Sequence, residues 1–244
     1  MPSRKSSQLR TNVILRGLDD AAFAQVLAHG TIVDLPLREV VYEPERPIDD
    51  VYFPIDCVLS IVTRMRDGHQ IEIGTIGREG MSAFPLLLGA SCTANDCYCQ
   101  VPGSAVKISS DLFHEMHANI PDFRQLLDRY LQAYVNMLGQ MAACNRLHNI
   151  QTRCARWLLM TRDRVTADEI PLTHEYLAMM LGTGRSGVTI AVGALQDAAL
   201  IRSARGTFRI LDRTGLEAAS CECYEVAKEQ FGGILRAMEG VAQA

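Results

Sequence analysis

The chain has 244 residues, 48% of them hydrophobic and 21% charged, with a net charge of −4, which is the profile of an ordinary globular protein of one large domain or two small ones. No apolar run approaches the roughly 18 residues that a membrane helix needs; the longest, SAFPLLLGA, is interrupted by Pro85 and Gly89. The basic start MPSRKSSQLR leads into no apolar stretch of the secretory kind, so a cytoplasmic location without a membrane partner is expected.

From Thr31 to about Ile108 the chain reads as short strands: TIVDLPL, VVYE, DDVYFPID, VLSIVTRM, HQIEIGTI and SAVKIS, with Asp67-Gly68 as a hairpin turn. So many short strands in so few residues predict an antiparallel roll or barrel. After Ser109 helical signals take over, with a break before Pro121. Between 122 and 145, Leu126, Tyr130, Ala133, Met137, Gln140 and Cys144 repeat at 4-3-4-3-4 spacing. A second stripe, Leu127, Leu131, Tyr134, Leu138 and Met141, runs one residue over. Two adjacent stripes bury more than one face, so one is expected against the roll and the other against a second copy of the chain. The helix is read as continuing through NRLHNIQTRCARWLLMTRDRV, with Arg146, Arg153, Arg156, Arg162 and Arg164 decorating its polar side.

Charge is unevenly divided. Residues 1–145 hold 12 Lys/Arg against 17 Asp/Glu, residues 146–215 hold 10 arginines against 6 acids, and residues 216–244 hold 2 basic against 5 acidic groups. The basic third quarter is the expected footprint of a polyanion site. It contains HEYLAMMLGTGRSGVTIAVGAL, with small Ala178 four residues before Gly182 and apolar Val188 six after it. That spacing suits two helices joined by a left-handed turn at Gly182, with Ala178 allowing close packing and Val188 anchoring the second helix. Thr173 is the expected N-cap of the first helix and Thr183 of the second. Arg185, Ser186 and Thr189 then project from the second helix's first turns, where a recognition helix meets the major groove. Arg185 has the fork that binds guanine O6 and N7, and Ser186 and Thr189 can bond to bases or phosphates. Gly184 and Gly187 are read as positions where DNA comes close. ALIRSARGTFRILD follows as a hairpin around Arg205-Gly206, with Arg202 and Arg205 placed for phosphates.

β-Roll, long helix, helix-turn-helix and β-wing, in that order, resemble the cyclic-AMP receptor protein / fumarate-nitrate regulator (Crp/Fnr) superfamily of bacterial transcription factors. The resemblance spans roughly residues 12–215 and is most specific in PLTHEYLAMMLGTGRSGVTIAVGALQDAALI; IEIGTIGREGM is similar to the glycine-flanked strand before that family's effector site. It implies a homodimer binding a palindromic operator with half-sites about 34–36 Å apart, and RNA polymerase as a further partner. The cyclic-nucleotide members carry a Phe-Gly-Glu-like segment followed by an arginine that holds the cyclic phosphate. Here no acid lies between Gly80 and Asn95 and no arginine between Arg78 and Arg124, so a buried phosphate would be unpaired. The first cysteine is Cys57, so the amino-terminal iron–sulfur cluster of the oxygen-sensing branch is not supported either. His69 is the conceivable axial ligand for a haem, but it reads as a hairpin surface residue. Ser186 and Ile190 stand where relatives often read DNA with Glu and Arg, so a different half-site is expected.

The expected fold is therefore α+β: a β-roll effector domain (12–121), a dimerisation helix (122–145), a winged helix-turn-helix (146–215) and a helical extension (216–244). No cofactor is expected and the effector is unassigned. The eight cysteines (57, 92, 97, 99, 144, 154, 221, 223) include no C-x-x-C and two C-x-C without a partnering pair at zinc-site spacing, so they read as reduced, buried hydrophobes with no metal site. Two alternatives stand beside this reading. The same fold can carry a thiol trigger at Cys92, Cys97 and Cys99, with Cys144 on the dimer helix responding. A cupin-like metalloenzyme would need more than His69 alone on its hairpin, and HEMH at 114–117 lacks the i,i+4 histidine pair of a zinc protease.

Overall fold

The computed structural model describes residues 4–241. Three short helices open the chain: α1 (Arg4–Leu9), α2 (Val13–Arg16) and α3 (Asp20–His29). Buried Asn12 explains the second: its Oδ1 accepts from the amides of Ile14 (3.0 Å) and Leu15 (3.2 Å) while its Nδ2 donates to Pro54 O (3.0 Å) and Gly80 O (2.8 Å). One side chain thus caps a helix and ties it to the end of a strand and to a loop.

Seven strands follow: β1 (Thr31–Leu35), β2 (Val40–Tyr42), β3 (Asp50–Pro54), β4 (Val58–Arg64), β5 (Gln70–Ile76), then β6 (Asp96–Val101) and β7 (Gly103–Ser109), with the one-turn α4 (Phe84–Leu87) between β5 and β6. They form a three-stranded sheet in the order β1-β7-β3 and a four-stranded sheet in the order β2-β6-β4-β5. β7 is antiparallel to both neighbours, with Val106 opposite Ile32 on one side and Phe53 on the other. Val51, Phe53, Val58, Leu59, Ile61, Val106 and Ile108 fill the core between them. The Asp67-Gly68 turn forms as expected: Gly68 has φ +89°, and Asp67 Oδ1 accepts from His69 N at 3.0 Å. The strand not anticipated is β6, DCYCQV, which buries Cys97 and Cys99 on alternate positions.

α5 (Ser110–Asn119) ends at Ile120, and α6 runs unbroken from Pro121 to Leu147. Leu126, Leu127, Tyr130, Ala133, Tyr134, Met137 and Cys144 are buried along it. The expected continuation past 145 is corrected by the structure: the helix stops at Leu147, and Asn149 starts α7 (Ile150–Arg162) by accepting from Thr152 N at 3.0 Å. Arg153 and Arg156 are buried rather than decorating a solvent face, because α7 packs on several sides, and Arg164, just past its end, is buried as well. Three of the ten arginines in the basic quarter therefore contribute little to its outward field.

The C-terminal elements are β8 (Glu169–Pro171), α8 (His174–Leu181), α9 (Arg185–Asp197), β9 (Ile201–Ala204), β10 (Thr207–Ile210), α10 (Arg213–Ala219) and α11 (Cys223–Val241). β8-β10-β9 make a small antiparallel sheet, so the expected two-stranded hairpin has a third strand. The chain divides into two compact units, one from residues 1–61, 75–136 and 230–244, the other from 62–74 and 137–229. The far end of the β4–β5 hairpin thus groups with the C-terminal body. Within that body the indole of Trp157 donates to buried Glu72 at 3.1 Å. Among the described residues no helix is long and apolar enough to cross a membrane.

Candidate nucleic-acid interface

α8 begins where Thr173 accepts from Tyr176 N at 3.1 Å, as its sequence position predicts. It buries Leu177, Ala178, Met180 and Leu181 and ends at Gly182, whose φ of +59° is the left-handed conformation expected there. Thr183 N donates back to Ala178 O at 3.0 Å, closing the turn that reverses the chain into α9. α9 then buries Val188, Ala191, Val192 and Leu195 against the body. Its other face carries exposed Arg185, Ser186, Thr189 and Ile190.

One cap and one glycine differ from expectation. The N-cap of α9 is Gly184, not Thr183, and no side chain caps it. The first amides of a 13-residue helix are therefore free to meet a phosphate. Gly184 lies open, with only Ser186 Oγ within reach of an added Cβ at 3.8 Å, which suits close approach of a ligand. Gly187 faces inward instead: a Cβ there would meet Ile150 Cδ1 at 3.0 Å and Thr183 Oγ1 at 3.2 Å. It serves the packing of α9 on α7.

The wing is a two-residue hairpin with positive φ at both Arg205 (51°) and Gly206 (78°), a combination that matches the twist of the flanking strands. Arg202 lies directly opposite Arg209 in the β9–β10 register, both exposed, with Glu169 beside Arg209 on β8. Like charges placed opposite one another are unfavourable unless an anion joins them. Arg209, not picked out from the sequence, belongs with Arg202 and Arg205 on this surface; its alternation with buried Phe208 was the available signal. His174 is the other addition. Its Nδ1 lies 3.2 Å from Thr189 Oγ1 and its Nε2 3.5 Å from Ser203 Oγ, so one ring links α9 and the wing. Gln196 reinforces that link by accepting from Ser203 N at 2.6 Å. Neither contact has a sequence signature, because both join residues far apart in the chain.

A short helix, a left-handed glycine turn, a second helix with a polar exposed N-terminus and a three-stranded wing define a winged helix-turn-helix. Residues 152–219 match the Crp-like helix-turn-helix domain. No curated protein matches the chain in sequence. Among solved structures it is similar to a regulator assigned to the Crp/Fnr family from Eubacterium rectale (TM-score 0.66, 14% identity, 86% of this chain and 98% of that one). A Crp-family transcriptional regulator from Thermus thermophilus gives a TM-score of 0.65 at 18% identity, over 77% of this chain and 96% of the other. The c-di-GMP-responsive global regulator CLP of Xanthomonas campestris gives 0.62 at 17%, over 79% and 99%. The chain has the fold of the Crp/Fnr transcriptional regulators, with a Crp-like helix-turn-helix at residues 152–219. These three solved structures are of regulators, and His69, the cupin reading's ligand, sits on the exposed hairpin turn beside Asp67.

Beside α4, aromatic side chains of α6 and α4 meet the loop that follows β5. A Cβ on Gly80 would strike the ring of Tyr130, whose hydroxyl donates to Met81 O at 3.1 Å. Phe84 of α4 packs on Tyr134 with ring centroids 5.1 Å apart. The candidate redox cysteines do not form an accessible group. Cys92 is exposed in the loop after α4, whereas Cys97 and Cys99 are wholly buried. Burial pushes the Cys97 thiol up and holds that of Cys99 at about 12. Spacing along the chain left no metal site, but Cys144, His148, Cys221 and Cys223 come together once it folds.

Proposed function

We propose that the chain is a sequence-specific DNA-binding transcriptional regulator that acts as a homodimer on a palindromic operator, with a β-roll that takes a signal other than a cyclic nucleotide. The observation that carries this reading is the exposed N-terminus of α9, where Arg185, Ser186 and Thr189 stand together beside an arginine-bearing wing. Arg185 reads a guanine edge; Thr173, Thr183, Gly184, Arg202, Arg205 and Arg209 set the register on phosphates. The lack of any arginine between 78 and 124 supports a signal without a buried phosphate.

Selection of sheared bacterial genomic DNA by the reduced protein tests the reading. The expected result is a palindromic site, at which Arg185→Ala costs about 1–3 kcal/mol and relaxes the preference at one base pair of each half-site. Arg205→Ala should instead weaken all sequences alike and flatten the salt dependence. Weak, salt-labile binding that ignores Arg185→Ala would overturn the assignment of α9 as the reading helix.

A further inference from the structure

We propose that Cys144, His148, Cys221 and Cys223 form a mononuclear zinc(II) site that clamps the C-terminal segment to the end of α6. The four donor atoms lie within 4.8 Å of one another, the three cysteines buried and the histidine half-buried. Cys144 and His148 are four residues apart and share a face, because His148 N still donates to Cys144 O at 3.1 Å past the last helical residue. Cys221 and Cys223 bracket the turn between α10 and α11, where Tyr224 N donates to Cys221 O at 3.0 Å.

The spacing is that of a tetrahedral ion. With Zn–S near 2.3 Å and Zn–N near 2.0–2.1 Å, ligand sulfurs stand about 3.8 Å apart and sulfur and nitrogen about 3.5 Å. The Cys144–Cys221 sulfur separation is 3.6 Å, and Cys223 Sγ lies 3.4 Å from His148 Nδ1. A multi-iron cluster needs its cysteines spread around several metal atoms, and calcium or magnesium needs oxygen donors. Three thiolates and one imidazole closing a tetrahedron favour zinc.

Charge gives an independent argument. Arg156 is 1% exposed, yet among the described residues its Nη1 contacts only the sulfurs of Met141 (2.8 Å) and Met160 (3.2 Å), and its Nε has no acceptor. A buried guanidinium without an anion is strongly unfavourable. It stands within electrostatic reach of Cys144 and Cys221. Zinc with three thiolates and a neutral imidazole carries one net negative charge, which supplies a counter-ion for Arg156. Binding releases the three thiol protons to solvent. The surroundings fit a bound thiolate as well. Gln140 Nε2 donates to Cys223 Sγ at 3.0 Å, and His148, with Nδ1 towards the sulfurs, turns Nε2 towards Glu222 at 3.9 Å, the direction from which a carboxylate orients a ligating imidazole.

All four ligands lie outside residues 152–219, two before that match and two after it. The metal therefore joins the two ends of the helix-turn-helix segment, so that the segment between them becomes a closed loop.

The test uses the full chain purified under reducing conditions without chelator. Elemental analysis should find one zinc per chain, and exchange for cobalt(II) should give the intense visible bands of a tetrahedral thiolate site. Cys221→Ser with Cys223→Ser, and His148→Ala, should lose the metal; His148→Cys should retain it, and Cys154→Ser, which alters a buried cysteine elsewhere on α7, should leave it unchanged. Chelation should lower the unfolding temperature of the wild type but not of the metal-free variants, read by the fluorescence of the single tryptophan, Trp157. Reduced wild-type protein that binds no zinc after loading and dialysis would overturn the proposal, as would an octahedral cobalt spectrum. A Cys144–Cys221 disulfide, seen as a mass lower by two hydrogens in protein that takes up no metal once reduced, would also overturn it. Should the variants fail to fold, wild-type stoichiometry and the cobalt spectrum decide by themselves.

Discussion

Gly182 ends α8 and Gly193 sits inside α9, and their backbones ask for opposite things. At Gly182 the left-handed φ of +59° excludes most side chains, and an added Cβ would collide with Ile71 of the β4–β5 hairpin. Gly182→Ala should combine the left-handed penalty, about 1–2 kcal/mol, with overpacking, typically about 1–3 kcal/mol. A loss of about 2 kcal/mol or more in urea unfolding is therefore expected. At Gly193, in the interior of α9, an added Cβ would meet nothing within 4 Å. Gly193→Ala should stabilise the protein by about 0.4–1 kcal/mol, because alanine restricts the unfolded chain and suits a helix. Equal effects at the two positions would contradict the turn geometry on which the orientation of Arg185 depends.

At the scale of elements, the C-terminal extension is held by a network that needs no metal. Tyr224, 1% exposed, donates to Asp163 Oδ2 at 2.8 Å and accepts from Arg213 Nη2 at 2.7 Å, while Arg213 pairs with Asp163 at 2.7 Å and with Glu217 at 2.9 Å. Tyr224→Phe should cost about 1.5–3 kcal/mol, since it strips a hydrogen bond to a charged group from a buried ring. Arg213→Ala should cost less than about 1 kcal/mol, because its side chain is 48% exposed and solvent screens the pair. Urea midpoints of the two variants check the order. The sequence held local elements well: Asp67-Gly68 placed a hairpin, the 4-3-4 stripe placed α6, and Gly182 with Val188 placed the turn and the second helix. It hid elements whose identity depends on partners. β8 has three residues and a proline, and is a strand only because β10 pairs with it. β6 uses two cysteines as its inward residues, and they read as isolated thiols until the sheet forms. The break at Asn149 had its N-cap in plain view, but the apolar pattern running through Leu147 and Ile150 concealed it. The cysteine–histidine cluster was out of reach altogether, because Cys144 and Cys221 lie 77 residues apart and only tertiary packing brings C-x3-H and C-x-C together.

For the whole molecule, the consequential surface is the one that α6 leaves uncovered. Leu126, Leu127, Tyr130, Ala133, Tyr134 and Met137 are buried within the chain itself. Leu131 and Leu138 are only half-covered, Val135 is 52% exposed and Ala142 is exposed, and these four follow one another at 4-3-4 spacing. Gly139 leaves open space beside them. An apolar heptad stripe facing water on a 27-residue helix fits a second copy of that helix, with the glycine allowing close approach. The proposed homodimer predicts a specific failure. Val135→Glu places a charge where it would be buried against its own symmetry mate, and repulsion between the two copies adds to the cost of desolvation. Light scattering should report a dimer for the wild type and a monomer for the variant, with the fold of the single chain kept because Val135 lies outside its core. Binding to a full palindrome should fall by about 10²–10⁴-fold, the avidity that comes from linking two reading heads, while binding to a single half-site should be unaffected. A wild type that is monomeric at the concentrations where it binds its operator would remove the reason for the stripe, and with it the two-fold symmetry expected of the site.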